Sequence, residues 1–193
     1  MQHSICKDGF RFRLRPAVLS DSEFIVELRA DPDRNAFIHP IKGGVESQRA
    51  WFASYETREG DYYFIIEDRV TGEPHGTVAV YDIDASSMEG EWGRWVLKPG
   101  SMAATESVWL TYRVAFEDLS MRRLYCRTVA DNAKVVSFHD SCGLKRAREL
   151  PDHFVLGGAS YGAVEHELLP QDWADVGARL SRMAERLAQR LAK

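Results

Sequence analysis

The chain has no apolar run approaching the ~20 residues that a membrane-spanning helix requires, and its opening MQHSICKDGF lacks the apolar core of a secretion signal. It has no surplus of basic charge either. Lys and Arg number 25 against 29 Asp and Glu, a net charge of -4, so no chain-wide field draws nucleic acid or an anionic bilayer. Cysteine is scarce: Cys6, Cys126 and Cys142 are odd in number and form no CxxC pair. That pattern favours free thiols in a reducing compartment over disulfides or a zinc site. The six histidines are scattered without ligand spacing, so no metal is expected. Neither G-x-x-x-x-G-K-[ST] nor G-x-G-x-x-G occurs. The expectation is a cytoplasmic protein without nucleic-acid or membrane partners.

What remains is ordinary globular material, 45% hydrophobic and 28% charged, and 193 residues suit one domain over 1–193. Phe10 to Arg15 alternates apolar and basic residues and predicts a strand stopped by Pro16. A helix is expected over Ser20–Ala30, capped by Ser20 or Asp21, and another over Val45–Arg58. Between them DPDRNAFIHPIKGG is too rich in Pro and Gly for a regular element. Tyr62–Glu67 and Gly76–Ile83 predict strands, as do short segments at Ala147–Leu150 and Ala163–Leu169. From Pro170 to Lys193 the spacing is helical, with Val176, Leu180, Met183, Leu187 and Leu191 on one face. That stripe could dock on its own domain or form the seam of a homodimer.

The most informative stretch runs from Glu89 to Leu144. Glu91–Lys98 predicts a strand ended by Pro99 and Gly100; Ser101, Ala103, Ala104 and Thr105 make a small-residue turn. A helix follows with Val108, Tyr112, Ala115, Phe116 and Leu119 inward, then a second strand and a short helix. Strand, turn, helix, strand builds a parallel pair with a crossover. The turn amides then sit at the C-terminal edge of the sheet, where a helix N-terminus can hold phosphate.

The segments EWGRWVLKPGSMAATES and DNAKVVSFHDSCGLKR, and the order of elements around them, resemble the GNAT superfamily of acyl-CoA-dependent N-acyltransferases. The resemblance implies an α/β (α+β) GNAT fold: a mixed, mostly antiparallel sheet splayed near its middle and flanked by helices, with an added C-terminal helix over 170–193. It implies acetyl-CoA as the acyl donor and an amine acceptor. The family turn R/Q-x-x-G-x-G/A keeps only its final small residue over Pro99–Ala104, with Pro99 and Met102 at two departing positions. By the same resemblance Val96, Leu97, Lys98, Ser101, Met102, Ala103, Ala104, Thr105 and Asn132 hold the cofactor. Glu91 matches the carboxylate that takes the amine proton, and His139 stands where relatives carry a Tyr that protonates the departing thiolate. An imidazole near its ordinary pKa could do so at neutral pH. Backbone N–H groups near Val96 and Leu97 would receive the negative charge that develops on the thioester oxygen.

Within the superfamily, WGRWVLKPGS and VSFHDSCGL are similar to N-acetyltransferases of nucleotide-linked amino sugars, as in pseudaminic acid biosynthesis. Arg34, Asn35, His39 and Trp95 are the candidate acceptor-binding residues. A protein N-terminus or a polyamine is the competing acceptor, and a non-catalytic acyl-CoA-binding module the competing class. The G-x-S-x-G match at Gly158–Gly162 lacks the following helix and the chain length that a hydrolase nucleophile needs.

Overall fold

The computed structural model describes residues 3–31, 35–38 and 43–192. Eight strands form one sheet: β1 (Lys7–Asp8), β2 (Phe12–Pro16), β3 (Tyr62–Asp68), β4 (Pro74–Asp84), β5 (Glu89–Leu97), β6 (Arg123–Val129), β7 (Lys145–Leu156) and β8 (Ala159–Leu168). Their order is β1-β2-β3-β4-β5-β6-β8-β7, and every neighbouring pair is antiparallel except the parallel β5–β6 pair. The helices are α1 (Ser22–Ala30), α2 (Gly44–Tyr55), α3 (Ala104–Arg113), α4 (Ala133–Cys142) and α5 (Pro170–Leu191). The expected mixed sheet, its crossover and the C-terminal helix are all present.

Two cores lie on opposite faces of this sheet. On one, Ile25 of α1 and Phe52 and Tyr55 of α2 pack on Tyr63, Ile65 and Ala79. On the other, Val108 and Tyr112 of α3, Cys142 of α4 and Leu180 of α5 pack on Phe64, Ile66, Val78, Val80 and Trp92. Alternate residues of β3 feed the two cores, which is why YYFII reads as a continuous apolar run rather than a polar–apolar alternation.

The parallel pairing of β5 with β6 covers only Glu89–Arg123, Gly90–Leu124 and Glu91–Tyr125. Past Glu91 the two strands separate, leaving the sheet open at its centre. Against β4, β5 carries a bulge: Thr77 faces Val96, yet Ala79 faces Gly93, so three steps on β5 match two on β4. Arg94 sits in the bulge with φ of 48°, and its carbonyl accepts the Thr77 hydroxyl at 2.8 Å.

Several expectations need correction. The strand expected from Phe10 is β2 and begins at Phe12, because the buried Glu106 carboxylate takes the Arg11 and Phe12 N–H groups at 3.0 and 3.2 Å and bends the chain there. Asp21 is the N-cap residue of α1, as expected, but its side chain makes no capping bond there; its carboxylate accepts Val18 N–H and pairs with Arg15 instead. The strand expected over Ala147–Leu150 is the 12-residue β7, an edge strand whose charged, exposed residues hide its pattern. Gly157 and Gly158, both at positive φ, close its hairpin with β8, and Ser160 of the G-x-S-x-G match donates to Asp152 in a surface hairpin. The buried stripe of α5 is Gly177, Leu180 and Ala184, with Trp173 and Val176 alongside. Met183 and Leu191 face solvent, so the stripe is rotated from the expected one. Among the described residues no helix is long and apolar enough to cross a membrane.

Candidate functional site

The opening between β5 and β6 is the floor of a cleft of about 1160 Å³ that reaches both faces of the sheet. Glu91 pairs with Tyr81 across β4–β5, and both lie on the α1–α2 face. Trp92 and His139 meet on the other face, ring centroids 5.3 Å apart. The two candidate catalytic residues therefore approach one cleft from opposite sides of the sheet.

The bulge decides what else lines it. Strict alternation would put Arg94 on the same face as Trp92; the extra residue turns it to the α1–α2 face instead. There its guanidinium lies over the rings of Tyr81, Trp51 and Tyr63 at 4.6, 5.5 and 5.7 Å and is held in a two-pronged bond by Asp61. Trp95 is turned the opposite way. It stacks on Phe138 at 5.3 Å, contacts His139, and donates from its indole to Ser107 at 3.0 Å.

Glu91 is held at both oxygens. Tyr81 donates to Oε1 at 3.1 Å and Arg127 of β6 to Oε2 at 2.9 Å. Burial raises its pKa above the usual carboxylate value, and Arg127 and Tyr81 pull against that rise. Burial and the Glu91 charge also push the Tyr81 phenol upward, so it stays protonated and donating.

His139 is 2% exposed and packed among Trp92, Trp95, Phe138 and His166. Burial first, and His166 second, lower its pKa to about 3. This overturns the premise that its imidazole titrates near neutrality: the ring is uncharged at pH 7 and its Nδ1 is buried without a partner.

At the other end, α3 begins at Ala104 with no side-chain cap on its N-terminus. Among the expected cofactor residues, Val96, Leu97, Lys98, Ser101, Ala104 and Asn132 line the cleft. Met102, Ala103 and Thr105 do not: Met102 points to solvent, Ala103 and Thr105 are buried, and the Ala103 N–H is taken by Ser101 Oγ at 3.3 Å. Asn132 both lines the cleft and caps α4 by accepting Val135 N–H. Of the acceptor candidates, Asn35 and Trp95 line the cleft, while Arg34 and His39 lie outside the described residues.

Sequence reasoning did not find Arg29, Arg94, Arg127 and Lys134, which line the same cleft. Together with Lys98 they put five cations and one carboxylate, Glu91, among the described lining residues; behind the lining, Arg94 is paired with Asp61, Arg127 with Glu165 and Lys98 with Glu73. Lone basic residues spread over β5, β6 and two helices leave no motif. The alternation in β6, with Arg123 and Arg127 on one face, was the available signal.

A sheet parted between two parallel strands, with an uncapped helix N-terminus beside the gap, is the arrangement that the GNAT resemblance implied. The chain belongs to the GNAT acetyltransferase family: the family model described as "Acetyltransferase (GNAT) domain" matches residues 11–145. Among solved structures, the apo form of FdhC, a nucleotide-linked sugar GNAT, is 26% identical over 94% of this chain and 99% of its own, with a TM-score of 0.78. A GCN5-related N-acetyltransferase from Brucella melitensis, 18% identical, covers 93% and 85% at a TM-score of 0.81. A mutant form of the spermidine N-acetyltransferase SpeG from Vibrio cholerae is also 18% identical, covering 86% and 97% at 0.75. These last two share the fold alone. No curated protein matches the chain.

Proposed function

We propose that this protein moves an acetyl group from acetyl-CoA to the primary amine of a small acceptor that carries anionic groups, a nucleotide-linked amino sugar. The observation that carries this reading is the basic lining of the cleft: five cations face it, while the carboxylates paired with Arg94, Arg127 and Lys98, apart from Glu91, stand behind the lining. Such a wall attracts phosphate and repels a polyamine, whose every binding group is cationic. Likeness to the nucleotide-linked sugar GNAT supports the same choice.

The residues present suit coenzyme A. The parted strands give room for a narrow arm, and the α3 N-terminus with Lys98 and Lys134 offers positive partners for phosphate. Acetyl-CoA supplies a thioester already activated toward amines, so positioning accounts for much of the rate. Glu91 accepts the proton that the amine nitrogen sheds as it bonds to the acyl carbon. His139, neutral, donates an N–H hydrogen bond to the sulfur released as the carbon–sulfur bond breaks. The sulfur's own proton comes from solvent through the open cleft. The backbone N–H groups near Val96 and Leu97 remain the donors for the acyl oxygen.

Calorimetry with coenzyme A, followed by thiol-release assays with UDP-linked amino sugars, tests the reading. Binding and release are expected. Binding without release on any amine would make the protein a binding module, and absence of binding would end the acyltransferase case.

A further inference from the structure

An ionic chain runs along the α1–α2 face from the cleft to the far strands. Arg127 Nη1 reaches Glu91 at 2.9 Å, and Arg127 Nε reaches Glu165 of β8 at 2.9 Å. Glu165 is fully buried and is also bonded by Arg123 at 2.6 Å and Arg148 at 2.8 Å. Cross-strand register makes the arrangement: Arg127 lies opposite Glu165, and Glu91 lies opposite Tyr125, two residues earlier on the same face of β6. A buried carboxylate facing three guanidiniums exceeds what packing alone asks of a sheet. Replacing such a cluster with apolar residues is often neutral or better for stability, so its presence asks for another purpose.

We infer that Arg127, anchored by Glu165, is a positioning residue that turns the Glu91 carboxylate into the cleft and fixes its orientation from the side opposite Tyr81. The anchor matters because a free arginine has many rotamers, whereas one tied at Nε and stacked on Tyr125 at 4.7 Å presents Nη1 in one direction. Each Glu91 oxygen keeps a second lone pair for the amine proton. The groups facing Glu91 are Tyr81 and Asp82 of β4, Tyr125, Cys126 and Arg127 of β6 and Glu165 of β8, with Arg94 of β5 behind Tyr81. Asp82 and Glu165 oppose its ionisation and Arg127 favours it, so loss of Arg127 leaves the two carboxylates unopposed from that side.

This inference rests on the proposed role of Glu91, but its test is read without substrate. Carboxyl-carbon NMR of the ligand-free protein follows the Glu91 titration, assigned with Glu91→Gln. In folded Arg127→Gln the midpoint is expected to rise by about one pH unit or more, the usual effect of a lost opposite charge at this range. Arg127→Lys should recover most of the midpoint, though in an acetyl-transfer assay kcat/KM stays lowered because the fork is gone. An unchanged midpoint in folded Arg127→Gln overturns the inference. Should that variant not fold, Glu165→Asp keeps the Glu165 charge, which itself opposes Glu91 ionisation, but draws the Nε anchor back by one methylene and must give a smaller upward displacement; no displacement there overturns it equally. A displaced midpoint in a protein that acetylates no amine would sink the proposed activity and leave the positioning intact.

Discussion

The burial of His139 makes a sharp prediction about acid stability. In an unfolded chain its imidazole titrates near 6.5, and in the fold near 3. The fold therefore refuses a proton that the unfolded chain accepts. Stability from this group is intact above pH 6.5, falls as pH drops through that value, and stops falling near 3. At pH 5 the linkage amounts to about 2 kcal/mol, a large share of the stability of an ordinary domain. Denaturant unfolding at pH 7 and pH 5, for the native chain and for His139→Gln, isolates the effect. His3, His75 and His153 also have lowered pKa values, but they are common to both proteins and cancel in the difference. His139→Gln is expected to lose about 2 kcal/mol less on acidification. Equal losses would show that the imidazole is charged or solvated in the fold, and the neutral hydrogen-bond donor assigned here would fall with it. Catalysis carries the same signature: no limb of the rate profile between about pH 5 and 9 should belong to His139.

Glu91→Gln should lower kcat by about 10²–10⁴-fold and abolish the acid limb of the kcat/KM profile, with coenzyme A binding unchanged by calorimetry. Lys98→Ala combined with Lys134→Ala should weaken coenzyme A binding and flatten its salt dependence, since both line the cleft and are the proposed phosphate partners; titrations at two ionic strengths read this directly. Thr77→Val removes the buried hydroxyl that ties the Arg94 carbonyl. It should cost about 1 kcal/mol in denaturant unfolding and raise the acceptor KM more than the coenzyme A Kd, because the bulge aims Arg94 at the acceptor side.

The elements that position the site were legible because their signals are local. The apolar run of β3, the small-residue turn before α3 and the Asn132 cap each sit within a few residues. The parting of β5 from β6 followed from the family resemblance. What escaped depends on partners distant in sequence. One extra residue at Arg94 is visible only against the register of β4, and it reverses the faces of Arg94 and Trp95. Arg127 and Glu165 are 38 residues apart and meet only because β6 lies beside β8. The α5 stripe was misplaced because Gly177 and Ala184, small enough for close packing, carry no hydrophobic signal to compete with Met183 and Leu191. His139 was found by position, but its charge state depends on Trp92, Trp95 and His166, which are brought to it by other elements.

The most direct measurement is the ratio of kcat/KM, by thiol release from acetyl-CoA, for a UDP-linked amino sugar against spermidine at one ionic strength. A cleft lined by five cations, with the carboxylates other than Glu91 behind its wall, predicts a ratio well above about ten that shrinks as salt is added. A ratio below one, or one indifferent to salt, would contradict the account.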